Sequence, residues 1–225
     1  MPRRFEINLL PKKIEQIALF LDVDGTLYDI EKSPSLVRPC FRLQKKLHVV
    51  RNRLEGALGL ISGRSLDDLD RIFNKNQIPV AGNHGAQLRD AHRYKACPAD
   101  TENVKGIIQK MRGLLDEKNN LYIENKGSNL TIHFRNSIIQ KKKIKNIMMK
   151  LLKYEPDLTY LEGKEVIEIK PMGHNKGTAI SYFMRTKPFI KRRPIFIGDD
   201  VTDEDGFETV NKKGGWSVRV GNSKR

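Results

Sequence analysis

Two carboxylates stand one residue apart in Asp22-Val23-Asp24-Gly25-Thr26, directly after the apolar run Ile17 to Leu21. At the end of a strand, where the chain leaves extended geometry, both can turn into one site, and Gly25 permits the sharp turn this needs. A divalent cation would relieve their mutual repulsion, and hard oxygen ligands select Mg²⁺. One carboxylate could then attack phosphorus as a nucleophile while the other protonates the leaving oxygen. Taken alone, the same pentapeptide also reads as a solvated acidic turn.

Three further turns answer to it. Ser62, Gly63 and Arg64 follow an apolar run and precede a helix opening near Ser65, so a hydroxyl and backbone N–H groups meet at a helix N-terminus, an anion-binding arrangement. Lys176 and Gly177 sit at another expected helix start, where an ammonium can hold a phosphate as a point charge. Asp199, Asp200 and Asp203 follow Pro194 to Gly198, and carboxylates so dense repel one another without a cation. Ser62 by itself reads as a helix cap and Lys176 by itself as a surface lysine. Four such turns in one chain are not a coincidence.

The elements that must position these turns read as an open α/β sheet. IALFLDVDG (17–25), ALGLISGRS (57–65), PVAGNHG (79–85) and PIFIGDD (194–200) are short apolar runs without polar alternation, as expected of strands buried on both faces of a parallel sheet. Amphipathic stretches at 39–53 and 65–74 read as the intervening helices. Ligands of such sheets bind outside the carboxyl ends of the strands, where these turns lie. The middle of the chain has another rhythm: a helix over 104–116, strands at 121–124 and 129–134, a helix over 137–153, then strands at 158–161 and 166–170. Alternation through Thr131, Ile132, His133, Phe134 and Arg135 predicts a half-exposed sheet, polar on one face.

Of the 225 residues, 38% are apolar and 31% charged, with Gly and Pro scattered, which excludes disorder and fibrous repeats. The run Ile17 to Leu21 is too short for a signal peptide or a membrane span, so a cytoplasmic location without a membrane partner is expected. Cys40 and Cys97 are expected as free thiols. With 42 Lys+Arg against 27 Asp+Glu, the net charge of +15 favours anionic ligands. The basic cluster 141–153 alternates with Ile144, Ile147, Met148, Leu151 and Leu152 at helical spacing, which reads as the solvated face of an amphipathic helix. No aromatic residues interleave with it, so no nucleic-acid partner is expected.

In this order along the chain, DVDGT, SGRS, a downstream lysine and GDDVTDE resemble the four motifs of the haloacid dehalogenase phosphotransferase superfamily. AGNHGAQLR (81–89), ENKGSNLTIHFR (124–135), VIEIKP (166–171) with the following NKGTA, and GDDVTDEDGF (198–207) narrow the resemblance to the trehalose-6-phosphate phosphatases. The resemblance implies a Rossmann-like core over 1–86 and 171–225, and a small α/β cap over 87–170 that closes over the site. It implies hydrolysis of trehalose 6-phosphate through an aspartyl phosphate, with Asp22 as nucleophile, Asp24 as general acid and then base, and Ser62 and Lys176 on the phosphoryl oxygens. Mg²⁺ would be held by Asp22, the backbone carbonyl of Asp24 and Asp199, with Asp200 and Asp203 in or just behind that shell. Gly25, Thr26, Gly63 and Arg64 are candidates for substrate contact. Glu124, Lys126 and Glu168 would meet the sugar hydroxyls, with Asn83, His84, His133 and Arg135 near the same cleft.

Association with a trehalose-6-phosphate synthase is a further implication. Two departures stand out. Gly206 replaces the usual Ala, and the family usually continues past Val220-Gly221 where this chain stops at Arg225, for which an exposed sheet edge or apolar face, lower stability, or association with a partner chain are the expected alternatives. Another phosphosugar as substrate, or a binding module without catalysis, are the alternatives.

Overall fold

Apolar runs flanked by glycine-rich turns become short buried strands. The computed structural model describes residues 13–31, 34–74, 77–90, 95–96, 106–107, 109–110, 121–134, 141–163 and 165–221. Its strands are β1 (Ile17–Leu21), β2 (Leu58–Ile61), β3 (Val80–Gly82), β4 (Gln87–Arg89), β5 (Lys95–Ala96), β6 (Tyr122–Asn125), β7 (Leu130–His133), β8 (Leu158–Glu162), β9 (Val166–Pro171), β10 (Arg193–Gly198) and β11 (Trp216–Arg219). Its helices are α1 (Phe41–Arg53), α2 (Leu66–Phe73), α3 (Lys141–Leu152), α4 (Lys176–Phe183) and α5 (Glu204–Lys212). The helix expected over 104–116 falls largely outside the described residues, as do Cys97 and Arg135.

Two compact units result, Met1–Ala96 with Asn175–Arg225, and Cys97–His174. The first holds a seven-stranded sheet in the order β11-β10-β1-β2-β3-β4-β5. Its pairs are parallel from β11 to β3, and β4 and β5 are added antiparallel. This is the α/β architecture expected. The antiparallel pairing carries the unit on to Ala96 rather than ending it at residue 86, and the chain rejoins it at Asn175 rather than 171. The reading by hydrophobic runs missed β4, β5 and β11, because QLR, KA and WSVR are too short and too polar to stand out. At the edge of the sheet, β11 alternates half-buried and exposed residues. One sheet face also carries an apolar groove of about 290 Å³ lined by Ile17, Leu19, Ile195, Ile197 and Val218, among others.

Packing places α4. Phe20 of β1 stacks on Phe189 at 5.1 Å and on Phe183 at 6.2 Å, and all three rings are buried. Phe183 ends α4, so this aromatic cluster anchors the far end of the helix, and its first residue, Lys176, reaches the carboxyl end of β1. Asn175 caps that first turn, its side chain accepting from the Thr178 N–H while Thr178 Oγ1 accepts from the Asn175 N–H.

The second unit is built on an antiparallel sheet in the order β6-β7-β9-β8. Leu130 and Ile132 of β7 and Ile167 and Ile169 of β9 are buried in one cluster with Ile144 and Met148 of α3, so one face of the sheet is covered as expected. The exposed lysines of α3 lie away from it, and Lys141 and Lys145 both pair with Glu162 of β8. On the other face the expectation is only partly met, because Thr131 is 3% exposed and Asn129 fully buried.

The Gly206 departure has a packing reason. A Cβ there would run into the ring of Phe196, which packs on Phe207 at 5.4 Å between centroids. Gly206→Ala is therefore expected to destabilise the protein by about 1–3 kcal/mol in urea unfolding. Phe196→Leu in the same chain should recover part of that loss. A neutral Gly206→Ala would show that the ring yields freely.

Candidate active site

The acidic and hydroxyl motifs converge because their strands are neighbours. β1 lies between β10 and β2, with Leu21 opposite both Ile197 and Leu60, so Asp22, Ser62 and Asp199 leave the sheet side by side at its carboxyl end. The Asp22 N–H donates to the Ile197 carbonyl at 2.9 Å, which locks the nucleophile candidate to β10. Gly25 has φ +86, and a Cβ on it would collide with the Asp199 carboxylate, so only glycine fits this turn.

Lys176 is the cation of this cluster. Its Nζ donates to Asp22 Oδ1 and to Asp203 Oδ1, each at 2.6 Å, and all three side chains are buried. Burial alone would lower the Lys176 ammonium, but the two carboxylates against it outweigh that and hold it above its ordinary value. Burial pushes Asp22 up to about 6 against the pull of Lys176, with the Asp203 charge adding to the rise. Asp199 is raised too, by burial first and then by Asp203 and Asp200.

Asp203 is spent on structure. Its Oδ1 takes the lysine, and its Oδ2 accepts from the backbone N–H groups of Asp199 and Asp200 at 2.9 and 3.0 Å. Asp200 is exposed and closes the reciprocal cap with Asp203 at the start of the turn. Asp22, Asp199 and Asp203 each offer an oxygen within 4.8 Å of the others. Within this trio, Asp22 Oδ2 and Asp199 Oδ1 are buried without a hydrogen-bond partner. Two orphaned, hard carboxylate oxygens in one cluster are the donor set a small divalent cation satisfies. Thr26 Oγ1 is buried without a partner as well.

Asp24 is held from the next strand. Arg64, itself buried, donates Nε to Asp24 Oδ2 at 2.7 Å and Nη2 to Asp24 Oδ1 at 2.6 Å. The Arg64 N–H also donates to Ser62 Oγ at 3.1 Å, which orients the hydroxyl. The Asn83-His84-Gly85 turn is tied down on the same loop. The Asn83 N–H donates to the Arg64 carbonyl and the His84 N–H to the Ser62 carbonyl, and the His84 ring lies against Gly63. Asn83 and His84 both have positive φ, at 47 and 55, a strained pair held by these bonds.

In the second unit, register places Glu124 and Glu168 on either side of Thr131, all on one sheet face. His133 Nε2 donates to Glu124 Oε2 at 2.9 Å, and this bond, with some help from Lys126, holds Glu124 below the usual carboxylate range against the opposing effect of burial. Glu168 accepts from Asn129 Nδ2 at 2.5 Å. Asn129 was not singled out by the sequence, although its spacing of two and four residues from Thr131 and His133 puts it on their face.

The sequence model of the Trehalose-phosphatase family matches residues 20–224. The chain belongs to this family. It is 37% identical to a probable trehalose-phosphate phosphatase of Sinorhizobium fredii, covering 96% of this chain and 82% of the relative. It is 34% identical to the trehalose-6-phosphate phosphatase of Escherichia coli, over 94% and 80%. A solved trehalose-6-phosphate phosphatase related protein superimposes with a TM-score of 0.75 at 23% identity, covering 92% of this chain and 87% of the other. A haloacid dehalogenase-like hydrolase from B. subtilis superimposes with a TM-score of 0.64, over 92% and 90%. At 23% and 16% identity these two show the fold alone. As a trehalose-phosphatase family member the chain is a phosphoric monoester hydrolase. Among its described residues no helix is long and apolar enough to cross a membrane.

Protons and a cation should compete at this centre. The folded Asp22 carboxyl titrates near 6 against 3.8 ordinarily, so the folded state takes up the extra proton between those values. Without a cation, stability therefore falls as pH rises through that window, and the penalty is fully present above it. Mg²⁺ is expected to raise the melting temperature more at pH 7.5 than at pH 5, and calorimetric affinity should drop by about tenfold or more over that range. Equal binding at the two pH values would exclude Asp22 as a ligand.

Proposed function

We propose that the protein is a divalent-cation-dependent phosphatase that hydrolyses trehalose 6-phosphate to trehalose and phosphate through an aspartyl phosphate. The observation that carries the reading is the buried Lys176 bridging Asp22 and Asp203, beside the orphaned oxygens of Asp22 and Asp199. Asp22 attacks phosphorus along a line its backbone bond to β10 keeps constant. Lys176 and the Ser62 hydroxyl hold the phosphoryl oxygens and offset the charge that builds on them. Asp22 and Asp199 would hold Mg²⁺, with the Asp24 carbonyl, and the cation would neutralise charge on the phosphoryl group.

Asp24 gives a proton to the departing sugar oxygen and then takes one from the water that opens the acyl phosphate. Its bidentate contact with Arg64 fixes the plane of the carboxylate in its ionised form, the form that takes a proton from water. In the second unit, Glu124, Lys126 and Glu168 bind the sugar hydroxyls, because carboxylates accept from and an ammonium donates to a polyol.

The relatives' names support trehalose 6-phosphate over other phosphosugars. A cytoplasmic location follows from this reading. So does association with a synthase, since the chain is 29% identical to a Dictyostelium discoideum alpha,alpha-trehalose-phosphate synthase B, covering 96% of this chain and 28% of that one.

Phosphate release from a panel of sugar phosphates, with Mg²⁺ or with EDTA, tests the reading. Selective, EDTA-sensitive release from trehalose 6-phosphate is expected. Asp22→Asn should lower kcat by roughly a thousandfold or more, and Asp24→Asn by about a hundred- to ten-thousandfold. Equal release from all sugars would replace the disaccharide with a broad substrate class, and no release from any would leave a binding module.

A further inference from the structure

The last three residues of the AGNHGAQLR stretch form β4, and two of them reach out to α2. Gln87 and Arg89 stand at alternate positions, hence on one face of the strand. Gln87 Oε1 accepts at 3.0 Å from the N–H of Leu66, the residue that opens α2 and whose N–H has no partner within the helix. Arg89 grips Asp70 one turn further on, Nη1 to Oδ2 at 2.8 Å and Nη2 to Oδ1 at 2.5 Å, and these two side chains are only 12% and 13% exposed. The spacings match: two residues along a strand span about 6.6 Å and four along a helix about 6 Å. Leu66, Leu69, Ile72 and Phe73 bury the apolar face of α2, but apolar contact is non-directional and fixes axial register poorly. The two polar contacts fix it, because a slide along the axis breaks both. Stability alone does not call for the ion pair, since a well-packed apolar pair in its place is often as stable or more so.

The Ser62-Gly63-Arg64 turn leads into α2 through the single capping residue Ser65. From that turn Arg64 holds Asp24 with two bonds, and its N–H orients the Ser62 hydroxyl. We propose that Arg89 and Asp70 are positioning residues for catalysis: by fixing the axial register of α2 they set where the Ser62 hydroxyl stands and how Arg64 holds Asp24. The inference rests on the reading of Ser62 and Asp24 as parts of the phosphatase centre. Arg89 and Asp70 act through the helix rather than on the substrate. A shift of about 1 Å in such a group lowers a rate by about a hundredfold, so a small slide of α2 is enough.

The test compares Arg89→Met, Asp70→Leu and the double variant Arg89→Met/Asp70→Leu with the unaltered chain. Urea unfolding, calorimetric Mg²⁺ affinity, and turnover of trehalose 6-phosphate and p-nitrophenyl phosphate with Mg²⁺ are measured for each. Each single variant strands a buried charge, so its urea midpoint should fall. The double variant removes both charges and should regain the midpoint, yet its kcat should stay about ten- to a hundredfold low on both substrates, with KM for the sugar phosphate nearly constant. Its Mg²⁺ affinity should be unchanged, because Asp22 and Asp199 follow β1 and β10 and not α2. A stable double variant with ordinary kcat would overturn the positioning role. So would a matching loss of Mg²⁺ affinity, which marks a general loosening, or a double variant that stays as unstable as the single ones. Failure of the sugar assignment would show as turnover of the aryl phosphate alone, which still reads the pair. If Ser62→Ala and Asp24→Asn both keep full turnover, the reading of the turn falls, and the role of Arg89 and Asp70 falls with it.

Discussion

A single buried ammonium makes the carboxylate cluster possible. Asp22, Asp199 and Asp203 lie within 4.8 Å of one another, and gathering three such groups away from water is prohibitive unless positive charge goes with them. Lys176 supplies it from the first residue of α4, at 2.6 Å from two of the three. The remaining oxygens, Asp22 Oδ2 and Asp199 Oδ1, stay unanswered, a deficit that a cation would offset. Much of the larger unit follows from delivering this one side chain: the Phe20, Phe183 and Phe189 cluster anchors the helix, and the Asn175 cap begins it at the required residue.

Around that charge the turns hold one another. The Arg64 and Ser62 carbonyls receive the Asn83 and His84 N–H groups, Arg64 clamps Asp24, and Asp203 gathers the Asp199 and Asp200 amides. Side chains that the motif reading treated as parallel contributors therefore have unequal work. Asp203 is consumed by three donors and serves as scaffold. Asp200 caps a turn at the surface. Arg64 acts on a carboxylate of the neighbouring strand end.

Much of this was legible in the residues. Asp22, Ser62 and Asp199 each follow an unbroken apolar run, and such runs can be buried on both faces only in a covered parallel sheet, whose carboxyl ends collect ligands. The α3 helix was legible from the spacing of Ile144 and Met148, both fully buried. Other features left no local signal. Strands as short as Gln87–Arg89 are made by pairing with a neighbour, and QLR carries no periodicity to betray it. Gly206 read only as a departure from the usual Ala, although what requires it is the ring of Phe196 ten positions earlier. Asn129 sat inside a quoted motif unremarked, because its bond is to a carboxylate 39 residues away.

The sequence by itself determined which chemistry is available, because residue type and its place after a strand are local properties. Paired carboxylates, a hydroxyl before a helix and a lysine at a helix start are written in the chain, and with the apolar runs they determine an α/β phosphatase fold. Only the tertiary structure decided how the work is shared: that Lys176 spans Asp22 and Asp203, that Arg64 takes Asp24, and that Asn129 bonds Glu168. Those assignments depend on distances between residues remote in sequence. Strand order and register set such distances, and no local pattern encodes them.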